Sequence, residues 1–175
     1  EKITLGLRSS NVVSNKIKKI RAYNEVGRAI VSAANNGIDS IDKITILPRS
    51  GSVGGYTKIT PDDEVITSGL ISKKLLLSKI EIALAGRAAE IVVFGINEIT
   101  QYAANSIIYS TEIAKEMVTK YGFSVIGPVC LDQNNDEIFL GNSLLRNKSV
   151  IADKTSTIID NQIIRISKEA LANAV

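Results

Sequence analysis

AYNEVGRAIVSAANNG, residues 22–37, is the stretch from which the architecture of this 175-residue chain can be worked outward. Ala22, Val26, Ala29, Ile30 and Ala33 recur at the spacing of one helical face, and Asn35-Asn36-Gly37 supplies a stop. A helix is therefore predicted from Arg21 to about Asn35, with those apolar residues inward. The same stretch carries a polar pattern. Asn24 and Arg28 stand one helical turn apart, so both project from one side, and Glu25 lies between them.

Upstream, residues 1–20 read as a basic, polar connector, the basic run KIKKIR (16–21) lies at its junction with the domain, and the folded domain is predicted over 21–175. Downstream, KITILPR (43–49) alternates as a strand, a glycine turn follows, and YTKIT (56–60) is its hairpin-like partner. Pro61-Asp62-Asp63 starts a turn or loop. A second helix is predicted from Ser72 to Phe94, with Ile80, Ala83, Leu84, Ala88 and Ile91 on one stripe and Gly86 permitting close approach of another helix. A third spans about Ala103–Tyr121, turns Ala103, Ile107, Ala114, Met117, Val118 and Tyr121 inward, and stops at Gly122. PVCL (128–131) and EIFL (137–140) read as short strands, and a last helix from about Lys154 buries Ile159, Ile163, Ile166 and Ala170. The predicted fold class is mainly α with a small β-sheet, in one domain.

Composition excludes whole classes of chemistry. The chain contains no histidine, which rules out Ser-His-Asp and Cys-His catalysis and any histidine-ligated metal site. A single cysteine, Cys130, rules out an internal disulfide; its apolar surroundings predict a buried, inert thiol. There is no 18-residue apolar run to span a membrane. The opening EKITLGL is neither a signal nor a transit peptide and lacks an initiator Met, so the sequence reads as part of a longer chain. Net charge is only +3 with scattered Lys and Arg, and KIKKIR has no aromatic platform beside it; no nucleic-acid partner is expected.

Taken together, several segments resemble the C-terminal peptidase domain of the FtsH family, membrane-anchored AAA+ zinc proteases. AYNEVGRA stands where such proteins have AYHEAGHA. The likeness continues through KITILPRSGSVGGYT, EIALAGRAAEIVVFG, TQYAANSI (the family's TTGASND), AKEMVTKYGFS, IGPV and EIFLG, in the same order and over nearly the whole chain. DDEVITSGLISKKLL looks most like the cyanobacterial and plastid branch.

Carried over residue by residue, the resemblance bears on the polar pattern of 22–37. HExxH points two imidazoles at one zinc ion while the glutamate between them activates the bound water. Here the two ligand places hold Asn24 and Arg28, and the third, the Asp of TTGASND, holds Ser106. Asn is a poor neutral ligand, and Arg keeps a fixed positive charge where a dication would sit. Glu25 alone matches, in the place of the general base. The expectation is a peptidase domain without zinc and without peptidase activity, with Glu25 vestigial and Asn24, Arg28 and Ser106 forming a polar plug. The plain alternative for Glu25 is a surface or cleft carboxylate paired with Arg28 or Arg21.

The resemblance further implies an upstream transmembrane segment, an AAA+ module using ATP and Mg, and a homo- or hetero-hexameric ring with other FtsH-like subunits. It places the protein on an organelle membrane, the stromal side of the chloroplast in the first instance, with a bacterial or mitochondrial membrane as the alternative. The implied role is a motor or scaffold subunit acting on unfolded polypeptide, in quality control or plastid protein import. A zinc endopeptidase with a non-standard metal site is the competing reading. In the family, the region of Gly54, Gly55 and Tyr56 edges the substrate groove; read alone, GSVGG (51–55) is a turn permitting positive φ. DQNNDEIFLGNS (132–143) fails as a calcium loop, having Glu137 and Ser143 at the positions that need Gly and Glu, and reads as a polar turn.

Overall fold

The computed structural model describes residues 14–35, 39–47, 54–61, 63–131 and 153–175. Five α-helices are seen among them: α1 (Asn15–Ala34), α2 (Asp63–Ser68), α3 (Lys73–Phe94), α4 (Ala104–Thr119) and α5 (Asp153–Ala174). Two strands, β1 (Asp39–Thr45) and β2 (Tyr56–Pro61), form an antiparallel pair. Single 3-10 turns at Ile96–Glu98 and Gln101–Ala103 join α3 to α4. The fold is mainly α with a small sheet, as the sequence predicts.

The hub is α3. Its sequence is apolar or small on nearly every side, which suits a helix surrounded by others. Leu75, Leu76, Ile80, Ile82, Ala83, Leu84, Ala85 and Ala88 are all buried, and α1, α4 and α5 pack around it. Ser72 fixes its start, the hydroxyl accepting from the Leu75 N–H at 3.2 Å. On one flank Leu76, Ile80 and Leu84 meet Ile113, Ala114 and Met117 of α4 and Ala170 of α5. Ile163 and Ile166 pack against this cluster and Ile159 is buried, so α5 turns inward the face its spacing predicts.

On the other flank the expected face is inverted. Of the apolar positions predicted to point inward on α1, only Ala29 is buried; Val26 is 43 % exposed, Ile30 is 63 % exposed, and Ala33 also faces outward. Asn24, Glu25 and Ser32 are buried instead. The cause is how closely α1 approaches α3. A Cβ added at Gly27 would stand 2.6 Å from the Ala89 Cβ, and one at Gly86 would strike the Asn24 amide. Large apolar side chains have no room there, whereas polar ones find partners in the elements they meet.

Local differences have local causes. Ser14 caps α1, accepting from the Ile17 N–H at 3.4 Å, so the helix starts six residues before Arg21 and takes in all of KIKKIR. Strand β1 begins and ends earlier than KITILPR, pairing Ile44 with Thr57 and Thr45 with Tyr56. An irregularity between Ile41 and Lys43 makes Asp42 the extra residue, its carboxylate taken up by Lys58 and by the Thr60 hydroxyl. Beyond Pro61 the chain forms the short helix α2 rather than only a turn. PVCL forms no strand: the Leu131 N–H donates to the Thr119 carbonyl at 2.7 Å, and Cys130 is exposed rather than buried. Tyr121, predicted inward, is 48 % exposed, because α4 ends at Thr119 and the chain turns away through Gly122 at φ +64°. EIFL and the turn at 132–143 lie outside the described residues, and no described helix is long and apolar enough to cross a membrane.

Truncating Ile80 to Ala should destabilise the domain by about 2–5 kcal/mol, the usual cost of a buried aliphatic deletion. Ile30→Ala, on the outward face of α1, should stay within about 0.5 kcal/mol. Urea unfolding midpoints of the two variants test the inverted face directly; equal losses would contradict it.

Candidate functional site

Five stretches of chain converge where α1 crosses α3. Helix α1 supplies Asn24, Glu25 and Arg28; α3 supplies Arg87 and Glu90; β2 supplies Thr57; the 3-10 turn supplies Tyr102; and the first turn of α4 supplies Ser106. Asn24 and Arg28, though on one side of one helix, go to different partners.

Arg28 spans the gap between α1 and α4. Its Nη2 donates to the Ser106 Oγ at 2.7 Å, and its Nη1 lies 3.5 Å from the Glu25 Oε2. Asn24 turns away from this pair; its Nδ2 donates to the Glu90 Oε1 at 2.9 Å, while its amide packs on Gly86. The three positions singled out by the resemblance thus divide into a bridged pair and a separate amide.

Glu25 is buried, with 2 % of its surface exposed, so it is neither a surface carboxylate nor an open one. Its Oε2 accepts from the Thr57 hydroxyl at 2.6 Å and its Oε1 from the Tyr102 hydroxyl at 3.1 Å. Of the two arginines considered as its partner, Arg28 makes the ion pair. Gly55 passes so close that an added Cβ would lie 2.5 Å from the Tyr102 Oη and 2.9 Å from the Glu25 Oε1. The approach of β2 therefore seals the carboxylate, and both oxygens are held by donors. Taking a proton from water would first require water to reach this buried carboxylate.

Glu90 is the residue that sequence reasoning missed. It is fully buried, its Oε2 accepting from the Thr100 N–H at 2.6 Å and its Oε1 from the Thr100 hydroxyl at 3.1 Å as well as from Asn24. Arg87 completes the junction by donating to the Thr100 carbonyl at 2.9 Å. A signal was available: a lone carboxylate within the otherwise apolar AAEIVVF must find donors if the helix is buried.

The groove-edge residues lie beside the same network. Gly54 is buried, Gly55 and Tyr56 are half-buried, and Gly54 takes φ +121°, a left-handed conformation that favours glycine. The Arg21 guanidinium packs directly on Gly54, leaving no space for a side chain. Its Nε is buried without a hydrogen-bond partner among the described residues. Asp63 is exposed. Among the described residues, no three Asp, Glu, Cys or His groups stand together as a metal-binding set.

The network has an electrostatic signature at Tyr102. Burial, followed by the charge and hydrogen bond of Glu25, raises the phenol above its ordinary pKa of 10.0. A folded pKa above the unfolded one means that the contribution to stability is complete below about pH 10 and is lost as pH rises through the folded value. Absorbance titration should show Tyr102 ionising above the ordinary pKa of 10.0, and Glu25→Gln should lower its pKa. Coincident titration in the parent and the variant would contradict the Glu25 contact.

Comparisons with known proteins place the chain in a family. A family model described as Peptidase family M41 matches residues 11–175. The chain is 37 % identical to an ATP-dependent zinc metalloprotease FtsH of Cyanidium caldarium over 99 % of its own length, which is 28 % of that protein. It is 35 % identical to ATP-dependent zinc metalloprotease FtsH 3 of Synechocystis over 95 % of its length and 27 % of the relative's. An FtsH of Mycoplasmopsis pulmonis is 36 % identical over 96 % of the chain and 23 % of the relative. The chain therefore spans about a quarter of the length of these relatives, and over that span it belongs to peptidase family M41, as an FtsH-type peptidase domain.

Proposed function

We propose that this domain keeps the FtsH peptidase scaffold without holding zinc or cutting peptide bonds. The observation that carries the reading is Arg28, a permanent cation in a ligand place, tied to Ser106 and Glu25. The residues present do not fit a zinc ion. Asn24 commits its amide to Glu90, Ser106 accepts from Arg28, and neither carboxylate has an unoccupied oxygen. The same residues make a sealed, hydrogen-bonded junction that fixes α1, β2 and the α3–α4 connection.

On this reading the domain serves as a structural and assembly part of a larger ATP-driven, membrane-anchored machine. The relatives named ATP-dependent support an upstream AAA+ module using ATP and Mg. Outward-facing Val26 and Ile30 of α1, with Val92 in the last turn of α3 and Ile96 in the 3-10 turn after it, support packing against FtsH-like neighbours in a homo- or hetero-hexamer. Its work is then to hold or pass unfolded polypeptide, as motor or scaffold, on an organelle membrane of plastid type. A second reading, a zinc endopeptidase with a non-standard metal site, is favoured by the relatives' names and by Glu25 in the place of the general base.

Metal analysis decides between them. After zinc supplementation and dialysis the chain should retain no stoichiometric zinc and cleave no unfolded protein. The combined substitution Asn24→His, Arg28→His and Ser106→Asp should restore retention and a zinc-dependent gain in stability of about 2.7 kcal/mol at a hundredfold excess over Kd. Stoichiometric zinc in the unsubstituted chain, with cleavage abolished by Glu25→Gln, would establish the second reading.

A further inference from the structure

Among the described residues, a single side chain stands between the buried Glu25 and an open cleft. The first half of α1 and the chain leading into α4 enclose this cleft, of about 510 Å³, with Ile17, Thr100, Tyr102 and Asn105 in its lining. Thr57, Tyr102 and Arg28 hold Glu25 by hydrogen bond or ion pair, and Gly55 covers it by close approach. Of these four, only Tyr102 also lines the cleft. Its half-buried ring has the cleft beside it, while its hydroxyl donates to the Glu25 Oε1 at 3.1 Å.

The sequence marks the same position. With Ser106 in the place of the Asp of TTGASND, Tyr102 stands where that motif has Gly. A glycine carries no side chain and would leave the Oε1 side of Glu25 facing the cleft; the tyrosine fills that space. Its backbone is anchored. The Tyr102 N–H donates to the Thr100 Oγ at 3.2 Å, Thr100 is tied to Glu90, and the next residue, Ala103, is buried. The ring turns on this fixed backbone through its own side-chain torsions and is tethered at its tip by one hydrogen bond. The cleft beside it has room to receive the ring.

We propose that Tyr102 is a side-chain lid over Glu25, latched shut by its hydroxyl and opened by rotation of the ring into the cleft. With the lid shut the carboxylate is sealed. With it open the cleft and Glu25 become one pocket that water and small solutes can enter. The lid is a further change from the TTGASND pattern, separate from the three ligand places, and its contacts use neither Asn24 nor Ser106. It therefore goes beyond the zinc question and has its own readout.

The test is carboxylate labelling of the full 175-residue chain with a water-soluble carbodiimide and a small primary amine. The carbodiimide activates an accessible carboxyl group, and the amine displaces the resulting urea to leave an amide. Trypsin then releases residues 22–28, AYNEVGR, in which Glu25 is the one side-chain carboxylate, and mass spectrometry reads the fraction labelled. Glu90, buried against Thr100 and not part of the cleft lining, is the control for an intact fold. Labelling of Glu25 should be slow in the parent and about tenfold faster in Tyr102→Phe, where the latch is lost. It should be faster again in Tyr102→Gly, with Glu90 protected in all three chains. Equal rates at Glu25 throughout would overturn the lid. A rise in Tyr102→Gly alone would mean a fixed wall and overturn the opening. Glu90 labelled together with Glu25 in the variants would also overturn it, the tyrosine then holding the fold rather than covering a passage. None of these outcomes turns on bound metal, so a failed lid leaves the zinc reading to metal analysis.

Discussion

Two carboxylates buried between α1 and its neighbours set the terms for the rest of this structure. An ionised group taken out of water costs several kcal/mol unless charges and donors replace its hydration. Glu25 draws its replacements from β2, the 3-10 turn and its own helix; Glu90 draws its own from α1 and from Thr100. Those donors lie far apart in sequence, so satisfying the carboxylates forces the sheet, the α3–α4 connection and α1 into one arrangement. Removing a single donor would leave a buried charge short of partners, which is why the network acts as a unit.

The apolar part of the fold makes this possible from the opposite flank. With α4 and α5 covering one side of α3 through Ile80, Met117 and Ala170, the remaining side is free to receive α1. Small residues there, Ala85, Gly86 and Ala89, let the polar edge of α1 come within reach of Glu90. Close approach and polar burial are therefore one feature: bulkier residues on α3 would push Asn24 out of hydrogen-bonding range.

Within peptidase family M41 this junction gives Glu25 a structural reason to be there. Its carboxylate ties Thr57 to Tyr102 and balances Arg28, whatever chemistry it supports elsewhere in the family. Arg28 and Ser106 likewise form a geometric pair, a guanidinium long enough to reach from α1 to the first turn of α4. Side-chain size, charge and hydrogen-bonding capacity agree across this set, which suits a packed interior better than an open pocket.

The sequence by itself determined the helical class, the hairpin, the limits of α3 to within a residue and the inward face of α5. Apolar periodicity and Ser or Gly punctuation are local signals, and those elements follow them. It also determined the chemistry ruled out by the lack of histidine. Only the tertiary structure decided which face of α1 is inside. Periodicity assumes that apolar means buried, and here the close approach to Gly86 and Ala89 reversed that. The partners of Glu90, the separation of Asn24 from Arg28 and the placing of Arg21 on Gly54 were likewise hidden, because each joins residues tens of positions apart whose meeting depends on how helices cross.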